Sequence, residues 1–390
     1  MGSVQSSRFD WCATAFVLSL VIPSAGTVER YLGLAGVLAY GIAAPAALVY
    51  VHRRGFAAIV SAMTTRHAAV LAGATLVLLV AAFLVGYPIA NSGLIGRGSD
   101  RDEALNTATT ELLEGRYPYY PKTYTGNLIT PLPGALIIAA PAVLLGNSAY
   151  QNLVWLAAFV ATMAWFLRDA RSAVVLLLVI LGSSPIVASE YVTGGDLLAN
   201  SLCVLLAVMW LVRLVPDPSV RGWHKALLAV AFGLGLAWRA NFGLVVPLVF
   251  SALAQRAGLR PALGSMTIAG VTAGAVTLPF YVYDPGGFSP LHTARTFTQF
   301  ESMFPGAGLV LTGACGLVAG LLAIGRSNAE VFPLLRRCAL ALLVPVVTVI
   351  LLGSAQAGTL DLRAAMYGMS ALFFGAVGFL PRRDHAGSNA

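Results

Sequence analysis

Asp100, Asp102 and Glu103 lie within four positions of one another, directly after a long apolar run. A polar, aromatic and proline-rich stretch follows them as far as Pro133. Carboxylates at such a boundary can take the proton of an acceptor hydroxyl, which needs one oxygen within hydrogen-bond reach. They can also hold a divalent cation through oxygen ligands. Their structural alternative is an N-cap at Ser99 or Asp100 ahead of a helix with an acidic first turn. In the same loop, Tyr117 and Tyr119 of Arg116-Tyr117-Pro118-Tyr119-Tyr120-Pro121, with Tyr124, offer stacking faces and hydroxyls, and Asn127 adds an amide. Rings of this kind also form the aromatic belt of a membrane interface.

Three further places carry polar groups of the right type. Glu190 and Asp196 frame Gly194-Gly195, where Asp196 suits an N-cap and both carboxylates can meet a polar substrate. Arg239 and Asn241 stand at a turn between two short apolar segments. Ionisable groups at membrane depth are expensive and point to function, and a guanidinium matches phosphate oxygens, although it can also snorkel to head groups. His292 and Arg295 follow Tyr283-Asp284-Pro285-Gly286-Gly287-Phe288-Ser289-Pro290, either to reach a phosphate or as an ordinary exposed loop.

These residues must be positioned by helices in lipid. The chain has 390 residues, 58% of them hydrophobic and only 10% charged, with a mean hydropathy of +0.81. Soluble domains carry roughly 25% charged residues, so the reading is an all-α polytopic membrane protein in one integral domain spanning 1–390. The net charge of +8 resides in short connections between apolar runs, where basic residues set orientation or meet anionic lipid. Nucleic acid is not expected as a partner. Cys12, Cys203, Cys315 and Cys338 lack metal-ligand spacing and read as small core residues.

Apolar runs predict about twelve spanning helices, near 11–26, 31–51, 68–90, 149–167, 172–189, 197–215, 226–239, 241–254, 262–283, 307–325, 338–353 and 365–380. The apolar segment 131–146 decides the topology. If it crossed, the arginines at 168 and 171, 256 and 260, 336 and 337, and 382 and 383 would all lie outside, against the basic-residue bias. It is short and holds Pro131, Pro133 and Pro141, so a juxtamembrane helix is expected. Region 91–146 then forms a large external loop with juxtamembrane helices. Both termini are expected in the cytoplasm, and 226–239 with 241–254 form a hairpin whose tip, at Arg239 and Asn241, lines a cavity.

The order of several short motifs resembles the GT-C superfamily of integral-membrane glycosyltransferases, and is similar to bacterial polyprenyl-phosphate-mannose-dependent mannosyltransferases. The matching elements are an external Asp after an early helix, Leu112-Leu113-Glu114-Gly115-Arg116-Tyr117-Pro118-Tyr119, and Pro131-Leu132-Pro133-Gly134. They continue with Gly235-Leu236-Ala237-Trp238-Arg239-Ala240-Asn241, then Leu278-Pro279-Phe280-Tyr281-Val282-Tyr283-Asp284-Pro285 with Phe288. The family usually places its acidic loop after the first helix, whereas here it follows the third. The resemblance implies inverting transfer of a sugar from a polyprenyl-phosphate donor to a hydroxyl of a glycan or glycolipid acceptor, at the outer face of a bacterial plasma membrane. It implies Asp100 or Asp102 as base, and the spacing to Leu112 leaves both open. Arg239 is implied as the donor-phosphate ligand, with His292 and Arg295 as further matches. Glu103, Tyr117, Tyr119, Asn127, Glu190, Asp196 and Asn241 are then the expected substrate contacts, with a divalent cation as a possible cofactor. The alternatives are a transporter or flippase of a lipid-linked or polar solute, and an inactive scaffold.

Overall fold

A computed structural model describes residues 11–92, 94, 99–291, 296–325 and 329–380. Among these every regular element is a helix, apart from one isolated bridge between Lys122 and Leu128. The α-helices are α1 (Trp11–Val21), α2 (Ala25–Tyr50), α3 (Phe56–Ala62), α4 (Thr65–Asn91), α5 (Arg101–Leu113), α6 (Pro133–Leu144), α7 (Gln151–Leu167) and α8 (Ala170–Ser183). They continue with α9 (Pro185–Thr193), α10 (Asp196–Leu214), α11 (Gly222–Leu236), α12 (Val246–Ala257), α13 (Leu259–Tyr283), α14 (Ala307–Ala323), α15 (Val331–Ala357) and α16 (Met369–Gly378).

Among the described residues, seven helical stretches are long and apolar enough to cross a bilayer, or eight if one bent pair is a single span. The chain is therefore an all-α protein with the helices of a multi-pass membrane protein, but the expected twelve spans are too many. The stretch Trp11–Ala62 is one helical run, with its backbone broken at Gly33, where the sequence suggested two spans. The expected span at 172–189 is instead α8 and α9, bent by 88°. Pro185 supplies the break: it has no N–H to continue the ladder, and the residue before it is pushed out of helical geometry. The buried break is internally satisfied, since Ser184 Oγ donates to Leu20 O at 3.1 Å and Ser24 Oγ accepts from Ile186 N at 3.4 Å.

The remaining losses are of length. α11 has 15 residues, which at 1.5 Å per residue is about 22 Å, short of a hydrocarbon core of about 30 Å. α14 has 17 residues and α16 only 10, all of the latter buried. Apolar composition could not separate these from spans, because it carries no measure of length and α16, sealed by protein, is as apolar as a helix facing lipid. At the centre stands α10, buried on nearly every side from Leu197 to Val212 and packed against α7, α11 and α16.

α6 has 12 residues, too short to cross, and packs on α5, α11 and α13. Two backbone hydrogen bonds hold its start against the turn after α11: Leu132 N to Trp238 O at 3.0 Å and Gly134 N to Ala237 O at 2.8 Å. A Cβ on Gly134 would stand 2.3 Å from Leu234 O and 2.7 Å from Ala237 O. The glycine of the Pro-x-Pro-Gly motif is thus a close-approach residue.

Candidate functional site

The C-terminal ends of α4 and α9, the N-terminal ends of α5 and α10, and the turn after α11 meet at one end of the bundle. Asp100 and Asp102, two positions apart at the head of α5, face different surroundings. Asp100 occupies the N-cap position but makes no side-chain capping bond. Its Oδ2 instead accepts hydrogen bonds from Thr123 Oγ1 at 2.8 Å, Asn127 Nδ2 at 2.8 Å and Thr125 Oγ1. These three donors all land on Oδ2, so none of them occupies Oδ1. Partial burial opposes ionisation of Asp100, but the Thr125, Asn127 and Thr123 donors outweigh it and hold the carboxyl below the usual range. Glu103 secures the same loop by accepting from Tyr124 N with both oxygens, at 3.1 and 3.0 Å.

Asp102 points inward and is 5% exposed. Its Oδ2 accepts from Tyr87 Oη at 2.5 Å, and Asn147 Nδ2 donates to that same hydroxyl at 2.6 Å. Asn147 Oδ1 in turn accepts from Asn106 Nδ2 at 3.2 Å and from Ala149 N at 2.9 Å. Burial raises the Asp102 carboxyl above its ordinary value, against the opposing pull of the Tyr87 hydrogen bond. One carboxylate is therefore ionised and partly open, and its neighbour but one is closed and biased toward the neutral acid.

Two ion pairs lie behind them. Arg101 pairs with Glu190, which is 3% exposed, and stands beneath Tyr367, 5.9 Å from the ring centroid. Arg239 Nη2 binds both oxygens of Asp196, at 2.7 and 2.9 Å, and Trp238 Nε1 donates to Asp196 Oδ2 at 3.2 Å. Asp196 is the first residue of α10, with Gly195 at the N-cap position, so its side chain serves the arginine rather than capping the helix. Arg239 turns inward instead of snorkelling, and its buried Nε has no hydrogen-bond partner among the described residues.

Gly194 joins these parts. Its φ of 74° is left-handed, and a Cβ there would stand 2.7 Å from Ala149 Cβ, 2.8 Å from Tyr87 Cε2 and 3.2 Å from Asp102 Cβ. Left-handed geometry costs a non-glycine residue about 1–2 kcal/mol, and overpacking adds about 1–3 kcal/mol. Gly194→Ala is expected to lower stability by about 2–5 kcal/mol, read from the unfolding midpoint in detergent. An unchanged midpoint would show that Tyr87 and Asp102 are not tightly seated against the turn.

The other expected contacts are more dispersed. Tyr117 Oη donates to Phe280 O at 3.0 Å and also lies 3.3 Å from Asp284 O, tying the loop to the end of α13. Tyr119 is 2% exposed and donates to Pro131 O at 3.2 Å. Asn241 Nδ2 reaches Ser370 Oγ at 3.4 Å. His292 and Arg295 lie outside the described residues. Among the described residues no group of three or more His, Cys, Asp and Glu side chains is arranged to hold a metal ion.

Sequence reasoning passed over Arg101, Tyr87 and Asn147. Arg101 was hidden among three carboxylates. Tyr87 carried a usable signal, as the lone tyrosine of a 27-residue apolar helix. Comparison with protein-family models, with curated proteins and with solved structures finds no match.

Proposed function

We propose that the chain is an integral-membrane glycosyltransferase of the GT-C type. It takes a sugar from a polyprenyl-phosphate donor and delivers it, with inversion, to a hydroxyl of a glycan or glycolipid at the outer face of a bacterial plasma membrane, both termini lying inside. The observation that carries this reading is the pairing of two features at one end of the bundle: the ionised, partly open Asp100 and the buried Arg239 with an unpartnered Nε. Asp100 takes the acceptor proton as the new bond forms at the sugar carbon. Arg239 offers Nε to the departing phosphate, whose growing negative charge it stabilises. A lipid tail between helices holds the donor, and proximity supplies much of the rate.

Buried ion pairs and the 88° break between α8 and α9 favour a second reading, a transporter or flippase, since such proteins build sites from broken helices. The deciding experiment supplies membranes containing the protein with radiolabelled polyprenyl-phosphate mannose and polyprenyl-phosphate arabinose, with and without a chelator. Covalent label in a glycan product is the expected result, and chelator sensitivity would add a divalent cation to the site. Label that crosses the membrane still attached to its lipid, with no product, would replace the transferase by the flippase.

A further inference from the structure

The loop after α5 meets the end of α13 in a patch of tyrosines that the proposed reaction has not used. Tyr117 is the hub, 4.6 Å from the Tyr120 ring and 5.2 Å from the Tyr283 ring between centroids. Its hydroxyl is taken up by the backbone of α13, and behind it Tyr119 packs edge-on to Phe288 at 5.1 Å. The hub is therefore fixed, while Tyr120 and Tyr283 are 59% and 71% exposed. A carboxylate lies beside them. Asp284 Oδ1 accepts from Gly286 N at 3.1 Å and Gly287 N at 2.9 Å, which fixes its direction, and its other oxygen approaches Gly287 on the side where Tyr120 lies.

We infer that Tyr120, Tyr283 and Asp284 form a subsite for a neutral sugar unit of the acceptor glycan. The chemistry selects that ligand. Exposed aromatic faces match the C–H face of a pyranose or furanose ring, and a fixed carboxylate accepts from adjacent sugar hydroxyls with charge-assisted hydrogen bonds. A phosphate or another anion would be repelled by Asp284, and an apolar chain would cover a carboxylate to which it can offer no hydrogen bond. Position points the same way. Only Pro121 and Lys122 separate Tyr120 from Thr123, which holds Asp100. Three residue steps span at most about 11 Å between Cα atoms, so the platform and the carboxylate are carried by one short stretch of loop. Glu103 anchors the next residue, Tyr124, through its backbone N–H, which keeps the connection short.

This subsite rests on the transferase reading, so its test is direct binding. Purified protein is prepared in a detergent without a sugar head group, and saturation-transfer NMR is run with mannotriose and maltotriose. The expected result is sugar signal from the wild type, reduced at least tenfold in Tyr120→Ala and in Tyr283→Ala and retained in Tyr120→Phe and in Asp100→Asn. Asp284→Asn weakens binding less than the ring deletions do. Equal binding by wild type and both alanine variants, or no binding of either sugar by folded wild type, overturns the subsite and returns the rings to an interfacial belt. Sugar transfer that persists alongside such a failure leaves the transferase reading standing. Binding that persists where no transfer is found leaves the subsite standing without it.

Discussion

Asp100→Asn is expected to reduce sugar transfer by about 10²–10⁴-fold, the usual contribution of a general base, while Asp102→Asn costs less than about tenfold, equivalent to about 1.4 kcal/mol. The two carboxylates differ in environment rather than in type. Asp100 is held ionised by donors on one oxygen, with the other oxygen clear of those donors. Asn at 100 preserves an acceptor for Thr123 and Thr125 and removes the basicity, so the loop should stay folded while the reaction stops. Asp102 is buried, biased toward its neutral form and bonded to Tyr87. An asparagine there has the shape of the protonated acid and an oxygen for the tyrosine hydroxyl. Initial rates in membranes at matched protein level, with the unfolding midpoint as a control, decide between them. Transfer that survives Asp100→Asn and disappears in Asp102→Asn would exchange the roles.

Asp196→Ala should destabilise the protein by about 3–5 kcal/mol, because it leaves Arg239 charged and without its partner in a closed site. The side chains are 12% and 0% exposed for Arg239 and Asp196, and the indole of Trp238 loses its acceptor at the same time. The double replacement Asp196→Leu with Arg239→Met removes both charges and should recover most of that loss. Unfolding in mixed micelles measures both. The double variant also separates structure from chemistry. Recovered folding without transfer assigns Arg239 to the donor phosphate. Recovered folding with full transfer would make the pair purely structural and remove Arg239 from the mechanism.

Membership of the lipid phase was legible from composition alone, and so was the polar end of the molecule, because hydrocarbon does not tolerate unpaired charge. The sequence also marked Asp100, Asn127, Arg239 and Asp196 as residues worth placing. It could not say that Asn127 would bond Asp100, or that Asp196 would take Arg239 instead of a helix N-terminus. Those partners are 27 and 43 positions apart, and no local periodicity encodes such distances. The number of spans failed for a related reason. Hydropathy reports that a segment avoids water, and α16 avoids it by packing on protein, while α11 and α14 are apolar but short.

What the sequence determined by itself was which segments leave water, since transfer energies are properties of the residues: apolar helices, a carboxylate-rich and tyrosine-rich loop between them, and arginines in the connections. Tertiary structure alone decided how differently two neighbouring aspartates hold their charge. The difference comes from what each side chain meets after folding, three donors at a partly open edge for Asp100 and a closed pocket against Tyr87 and Gly194 for Asp102. Identical residue types are shifted in opposite directions because burial and hydrogen bonding, rather than chemical identity, set the cost of their charge.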